Sequence, residues 1–431
     1  MTGIQVHPHD IVDEGMPQII AYIRKLKDIR YVFPEVNTIF ERNPNPVGKL
    51  PRNPVHEVVH GTGTMHAVLP AYEGSGLDQR REPSVTPDHD PLMMIKHAMQ
   101  DEEFEVIPWL NILNGHFEGD ALENNLVTDV YGNFIDHWLC PNAPDVIDFW
   151  EKTFVGLYER YGFTTYMIDR IRFPDWGGQE VNPKGLLTCF CPHCQQKMAE
   201  QNLDINEVKK ALETWAAQLM DKQFEIAVGF AAGNEHIQSW IKFRQRSVTG
   251  FVERLIQRVR KVNDSFNIWL DLWPPAYGWM LGQDYASLTK LSPALKHFPY
   301  HKLGGGADVQ GLIHYLADTP EEQERAFQAF KLFFRLPYEL TYEDFKKDGF
   351  PIQFVADQNN TVREKSAPGT RIFSGIQMWN ISPGNLIEAV QAGESSAADD
   401  LLYYCYGWAG DELFEAIQSY REKGTNSSWK E

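Results

Sequence analysis

The chain has 431 residues, of which 43% are apolar, 23% charged and 13% aromatic. That mix excludes a disordered or fibrous protein, and the length allows several domains or one α/β barrel enlarged by insertions. A net charge of −19 without a basic stripe speaks against nucleic acid or an anionic membrane surface as partner.

The first 15 residues lack the basic and apolar regions of a signal peptide. No run approaches the ~18 apolar residues of a membrane-crossing helix. Five cysteines are too few for a disulfide framework in a chain of this size, so a cytoplasmic protein is expected.

Short apolar runs of strand type alternate with helical patterns along the chain. The first run is Gly3–His7, followed by a helix near Met16–Asp28. The second lies within Tyr31–Phe40 and has no clear end. A helix opening at Asp90-Pro91 precedes the third, Glu105–Ile112. A helix from Pro144 to a stop at Gly162 precedes the fourth, Thr164–Asp169. The fifth is Phe266–Asp271, after an amphipathic helix Val248–Val262, and the sixth is Ala294–Tyr300. Arg371–Trp379 is the seventh, with a helix capped at Ser382-Pro383 after it. Asp400–Trp408 is the eighth, followed by a helix Asp411–Lys423 and a polar tail 424–431.

Eight strands separated by helices predict a (β/α)8 TIM barrel over 1–423. An open doubly wound sheet is the competing architecture. It lacks support, because no Gly-rich phosphate loop follows the first strand and the GGGA at Gly304–Ala307 has the wrong spacing. Two stretches exceed simple connections. Residues 41–89, after the second strand, contain HEVVHGTGTMHAVLP, which reads as a hairpin. Residues 174–242, after the fourth, hold a cysteine cluster and one long helix. In barrels such insertions build the active-site rim.

Cys140, Cys189, Cys191 and Cys194 read as one site. A C-x-C-x-x-C knuckle supplies three thiolates from one turn, and Cys140 supplies a fourth, or His193 replaces one of them. Four soft ligands select a structural Zn²⁺. No organic cofactor is indicated. Cys405, in the apolar eighth run, reads as core. The cluster is similar to the zinc site of the family 42 β-galactosidases, which follows the fourth strand of their barrel. The likeness stops there. Their fourth strand ends in Asn-Glu, with Glu as the acid/base, whereas this one ends in Asp169.

Catalytic groups in such barrels come from the C-terminal strand ends. The segment YMIDRIRFP at 166–174 resembles the D-Y-I-R-F-P fourth strand of glycoside-hydrolase-like barrels, with Arg170 where that pattern has Tyr. The resemblance implies carbohydrate processing, with Asp169 at the barrel mouth. Glycosidic cleavage needs two carboxyl groups. Asp271, closing the fifth strand, is the best second candidate, and Asp284 is another. Substrate contacts are expected from His7, His9, Asn111, Arg170, Arg172, Trp273, His297, Tyr300, Gln377, Trp379 and Trp408. Their polar groups suit hydroxyls and their rings suit the C–H faces of sugars. Trp176, Tyr277 and Trp279 also fall just past strand ends, where some of the rings plug the barrel instead.

The expected function is glycoside hydrolysis. The alternatives are a metal-dependent sugar isomerase, epimerase or lyase using His7, His9, His297 and His301, and a carbohydrate-binding barrel without turnover. Exterior helices leave room for a homo-oligomer.

Overall fold

The computed structural model describes residues 2–40, 49–59, 61–70, 76–176, 183–304 and 308–427. Eight parallel strands close into a barrel. They are β1 (Thr2–Val6), β2 (Ile29–Asn37), β3 (Glu105–Val106 and Trp109–Asn111), β4 (Thr165–Asp169), β5 (Asn267–Leu272), β6 (Ala294–His297), β7 (Arg371–Gln377) and β8 (Asp400–Tyr404). Each pairs with the next, and β1 closes the ring by pairing with both β2 and β8. Helices surround them, so the architecture is the expected (β/α)8 TIM barrel.

β3 is split at Pro108, which has no N–H to give to the ladder. Its carbonyl still accepts from Met167 N at 2.9 Å, so the barrel stays closed across the gap. β6 and β8 end earlier than the apolar runs suggest. Phe298–Tyr300 leave the sheet after His297, and Tyr406–Trp408 turn into a short 3₁₀ helix.

Successive residues of a strand face opposite sides. Inside the barrel lie Tyr31, Phe33, Ile107, Trp109, Met167, Trp269, Ala294, Phe373 and Leu402, which form a core of their own. The Trp269 and Phe373 rings stack there at 5.5 Å. Counting on by two along each strand brings Glu35, Asn111, Asp169, Asp271 and Lys296 to the same inner face, one layer nearer the C-terminal mouth.

The helices follow their local signals. Asp90 caps Pro91–Ala98 by accepting from Met93 N, and Gly162 ends Pro144–Tyr161 at a φ of 74°. The helix before β5 starts 13 residues earlier than its amphipathic core suggests, at Glu235 rather than Val248. Asn234 caps it, accepting from His236 N and Ile237 N. No helix among the described residues is long and apolar enough to cross a membrane.

Three expectations about the rim change. The run HEVVHGTGTMHAVLP forms no hairpin of its own among its described residues. Thr62 and Met65 instead bridge antiparallel to Phe40 and Asn37, extending the line of β2. The insertion after β4 holds helices Pro183–Leu186, Pro192–Glu200, Ile205–Met220 and Phe224–Gly233 and the start of Glu235–Val262, rather than one. The connection from β6 to β7 is a third large excursion, with helices Gln310–Leu316, Pro320–Phe334, Tyr342–Asp348 and Gln353–Lys365. Most of the GGGA stretch lies outside the described residues.

Gly375 on β7 gives Lys296 its room. A Cβ there would stand 2.7 Å from the His297 carbonyl oxygen and 3.2 Å from Lys296 Cε. Gly375→Ala should therefore destabilise the fold by about 1–3 kcal/mol. Gly384→Ala, whose Cβ meets nothing within 4 Å, should be neutral or slightly stabilising. Urea-unfolding midpoints of the two variants check this.

Candidate active site

The mouth is built from two polar groups and a ring of aromatics. On one side, His7 Nδ1 meets Glu35 Oε2 at 2.5 Å, and Asn111 Nδ2 donates to Glu35 Oε1 at 2.9 Å. Asn37 and Asn111 exchange bonds with each other's backbone, which fixes the amide that holds Glu35. Burial opposes a charge on His7, but the neighbouring Cys405 and Glu35 outweigh it and hold the imidazole well above its ordinary value. Burial pushes the Cys405 thiol up, against the pull of His7.

On the other side, Lys296 Nζ donates to Asp271 Oδ2 at 2.8 Å, with Gln5 Nε2 at 3.5 Å from the same oxygen. Burial raises the Asp271 carboxyl to about 7 against the pull of Lys296, and nearby Asp169 adds to the rise. Asp169 is held differently. The fully buried Arg172 donates to Asp169 Oδ1 at 3.1 Å and to Asp175 Oδ2 at 2.8 Å, and Arg170 N donates to the same Asp169 oxygen. Arg170 reaches that position in the left-handed region, at a φ of 55°. Its guanidinium lies 3.4 Å from Asp175.

The aromatic ring links these groups. Trp408 lies 5.6 Å from His7, Trp379 5.1 Å from Trp408, and Tyr300 4.8 Å from Trp379. Tyr404 stacks on Tyr300 at 5.9 Å and takes the Lys296 ammonium over its face at 4.9 Å. His9 stacks on His7 at 5.3 Å. Gln377 donates to the carbonyls of Leu303 and Trp379 and accepts from Lys302 N, tying the β6 and β7 loops together.

Two expected contacts lie elsewhere. His297 is one residue out of phase with Lys296, so its ring points outward. It bonds Asn359 of the outer helix Gln353–Lys365 at 2.6 Å, and burial lowers it to about 3. Trp273 is only 2% exposed. It packs against Trp176 at 5.0 Å and lies under the Arg172 guanidinium at 5.2 Å, so it walls the site without offering a free face. Asp284 accepts from Ser287 Oγ in a short outer helix and does not join the mouth. Glu35 was not anticipated. The signal for it was parity, because it shares a face with Tyr31 and Phe33.

Several buried polar atoms around the mouth have no hydrogen-bond partner among the described residues. They include His7 Nε2, Gln5 Oε1, Asn111 Oδ1, Asp271 Oδ1, Tyr300 OH, and the indole nitrogens of Trp109, Trp379 and Trp408. Each such group costs about 1–3 kcal/mol if left unpaired. Their concentration at one place is what a site for a hydroxyl-rich ligand requires.

Behind the end of β4, the sulfurs of Cys140, Cys189, Cys191 and Cys194 lie within 4.8 Å of one another, all buried. Among the described residues this is the only group of His, Cys, Asp and Glu placed to share an ion. Cys140 Sγ is 3.4 Å from Cys194, 3.5 Å from Cys191 and 3.9 Å from Cys189. A tetrahedron with metal–sulfur bonds of about 2.3 Å has edges of about 3.8 Å, so the cluster suits four-thiolate coordination. Backbone N–H groups of Thr128, Asn142 and Cys191, and the Asn142 amide, point at the sulfurs at 3.2–3.4 Å. Such donors stabilise thiolates.

No protein-family model matches the chain, and no curated protein matches it. Solved structures do. The catalytic domain of β-amylase from Paenibacillus polymyxa aligns over 98% of both chains, with a TM-score of 0.55 and 9% identity. β-Galactosidase from the psychrophilic Marinomonas ef1 aligns over 99% of this chain and 60% of its own, with a TM-score of 0.52 and 11% identity. β-Galactosidase from Halorubrum lacusprofundi aligns over 98% and 58%, with a TM-score of 0.50 and 9% identity. These glycoside hydrolases share its fold. The chain spans about three fifths of the length of the two galactosidases. At such identities the likeness is one of fold.

Two outcomes follow from the site. A carboxyl raised from 3.8 to about 7 binds its proton more tightly folded than unfolded, so its contribution to stability falls as pH rises between those values. Asp271→Asn should flatten the wild type's decline in Tm across that window. Asp10, also raised to about 7 by burial, should preserve the rest of the decline. Separately, Cys191→Ser should abolish stoichiometric metal uptake, measured by elemental analysis, and lower the Tm by several degrees.

Proposed function

We propose that the protein is a glycoside hydrolase acting at the barrel mouth on a carbohydrate, with zinc as the structural ion of the four cysteines. The observation that carries this reading is the cluster of polar atoms without a partner among the described residues, ringed by aromatic faces, around Asp169 and Asp271. A sugar presents that pattern in reverse, with hydroxyls at its edge and C–H bonds on its faces.

In this reading Asp169, oriented by its contact with Arg172, is the nucleophile or stabilises the positive charge that develops on the sugar. Asp271, with its raised affinity for a proton, protonates the leaving oxygen. His7, whose affinity for a proton is raised beside Cys405 and Glu35, donates from Nε2 to a sugar hydroxyl, and Asn111, Tyr300, Trp379 and Trp408 position the ring. The pairing Ile168 to Leu270 brings Asp169 and Asp271 level on adjacent strands, whose spacing is about 4.8 Å. That favours the gap of about 5–5.5 Å of retaining enzymes over the 6.5–9.5 Å of inverting ones.

One observation favours a second reading, a sugar-binding barrel without turnover: Asp271 is fully buried and committed to Lys296. Asp169→Asn separates the two. On a panel of aryl glycosides and oligosaccharides, the wild type should release sugar with retained anomeric configuration, seen by NMR. The variant should lose at least about a thousandfold in kcat while remaining folded by circular dichroism, at a lower Tm because Arg172 loses one of its two carboxylates. Near-wild-type turnover in the variant removes Asp169 from the mechanism, and binding without release by the wild type selects the second reading.

A further inference from the structure

Arg244 is a buried cation without a carboxylate. It lies on the helix Glu235–Val262, is 0% exposed, and makes no ion pair among the described residues. Its guanidinium sits between the rings of Phe173 and Trp240, at 4.7 and 4.6 Å. Nη1 donates to the Leu186 carbonyl, whereas Nε and Nη2 have no partner among the described residues. A charge buried in that way is strongly unfavourable unless an anion lies nearby.

The anion is supplied by the cysteines. Leu186 is three residues before Cys189. One turn along the helix, Ser247 Oγ accepts from the Asn142 amide, and the same amide donates to Cys194 Sγ. Further along, the partly buried Arg254 donates to the carbonyl of Pro141, next to Cys140. The helix thus presents two guanidinium groups beside the four sulfurs. Four thiolates around a divalent ion carry a charge of about −2, which two arginines neutralise.

We propose that Arg244 and Arg254 are the counter-charges of a divalent tetrathiolate centre, and that Arg244 is retained in the interior for that purpose. The proposal rests on the reading of the four cysteines as a metal site. It makes the arginines part of the ion's binding free energy, although neither touches the ion.

The test uses the full-length protein and Zn²⁺ alone, with affinity measured against a chromophoric chelator and Tm measured with and without metal. Arg244→Met keeps the shape of the chain between Phe173 and Trp240 but removes the charge. It should bind Zn²⁺ at least tenfold more weakly, while the metal-free variant is as stable as the metal-free wild type or more so. Arg244→Lys should bind within threefold of wild type.

Unchanged affinity in Arg244→Met overturns the proposal. So does an equal loss in Arg244→Lys, because the effect then follows shape and not charge. If Arg244→Met does not fold, Arg254→Met decides. At least threefold weaker binding supports the proposal, and unchanged binding overturns it. A wild type that takes up no divalent ion overturns the metal reading itself, an outcome distinct from a wild type that binds and variants that bind equally well.

Discussion

The Arg172 guanidinium holds Asp169 and Asp175 from a wholly buried position, and the upper half of the barrel is arranged around that contact. A buried guanidinium is stable only with its charge matched and its donors used. Two carboxylates do this, and the Trp273 and Trp138 rings, at 5.2 and 6.0 Å, exclude water from it. The backbone is drawn in as well, because Trp138 Nε1 donates to the Arg172 carbonyl at 2.9 Å. Asp169 is therefore oriented by groups that cannot move without exposing or stranding a charge.

The same contact explains why a cysteine cluster sits where it does. Trp138 lies two residues before Cys140, so the strand Phe134–Leu139, paired antiparallel with Leu126–Thr128, leads to one sulfur and also carries the indole bonded to Arg172. Phe173, the residue after Arg172, receives the guanidinium of Arg244 on its face. The cluster closes the base of the rim excursion that follows β4 and fixes it to the strand end that bears the acid.

What could be read from the sequence follows from periodicity. The eight strands were legible because each is a short apolar run bounded by helix signals such as Asp90-Pro91 and Gly162. Asp169 and Asp271 were legible as strand ends. The side each strand residue faces is set by its parity along the strand, which an apolar run alone does not mark. Lys296 and His297 are adjacent at the end of β6, and only Lys296 shares a face with the interior Ala294. Glu35 was obscured because Pro34 interrupts its run, and the end of β2 blends into the rim. The excursion after β6 escaped notice because its helices are amphipathic and look like ordinary crossovers. Trp176 and Tyr277 read as ligand platforms from their positions, but they interlock with Phe330 and Phe334 and are filled by packing.

Charge at the mouth sharpens what the overall composition implied. The chain carries a net −19, yet the acids of the inner layer are each matched: Glu35 with His7, Asp271 with Lys296, and Asp169 with Arg172. The excess of acid therefore lies outside the barrel's inner layer. Arginine is the side chain suited to bind a uronic or sulfated sugar, and two of them, Arg170 and Arg172, follow Asp169. In the fold both guanidinium groups are engaged by Asp175, and Arg172 is wholly buried. An anionic sugar would have to compete with two carboxylates for them. A neutral sugar meets no such competition, and the neutral donors and acceptors left unpartnered at the mouth are the kind its hydroxyls would satisfy.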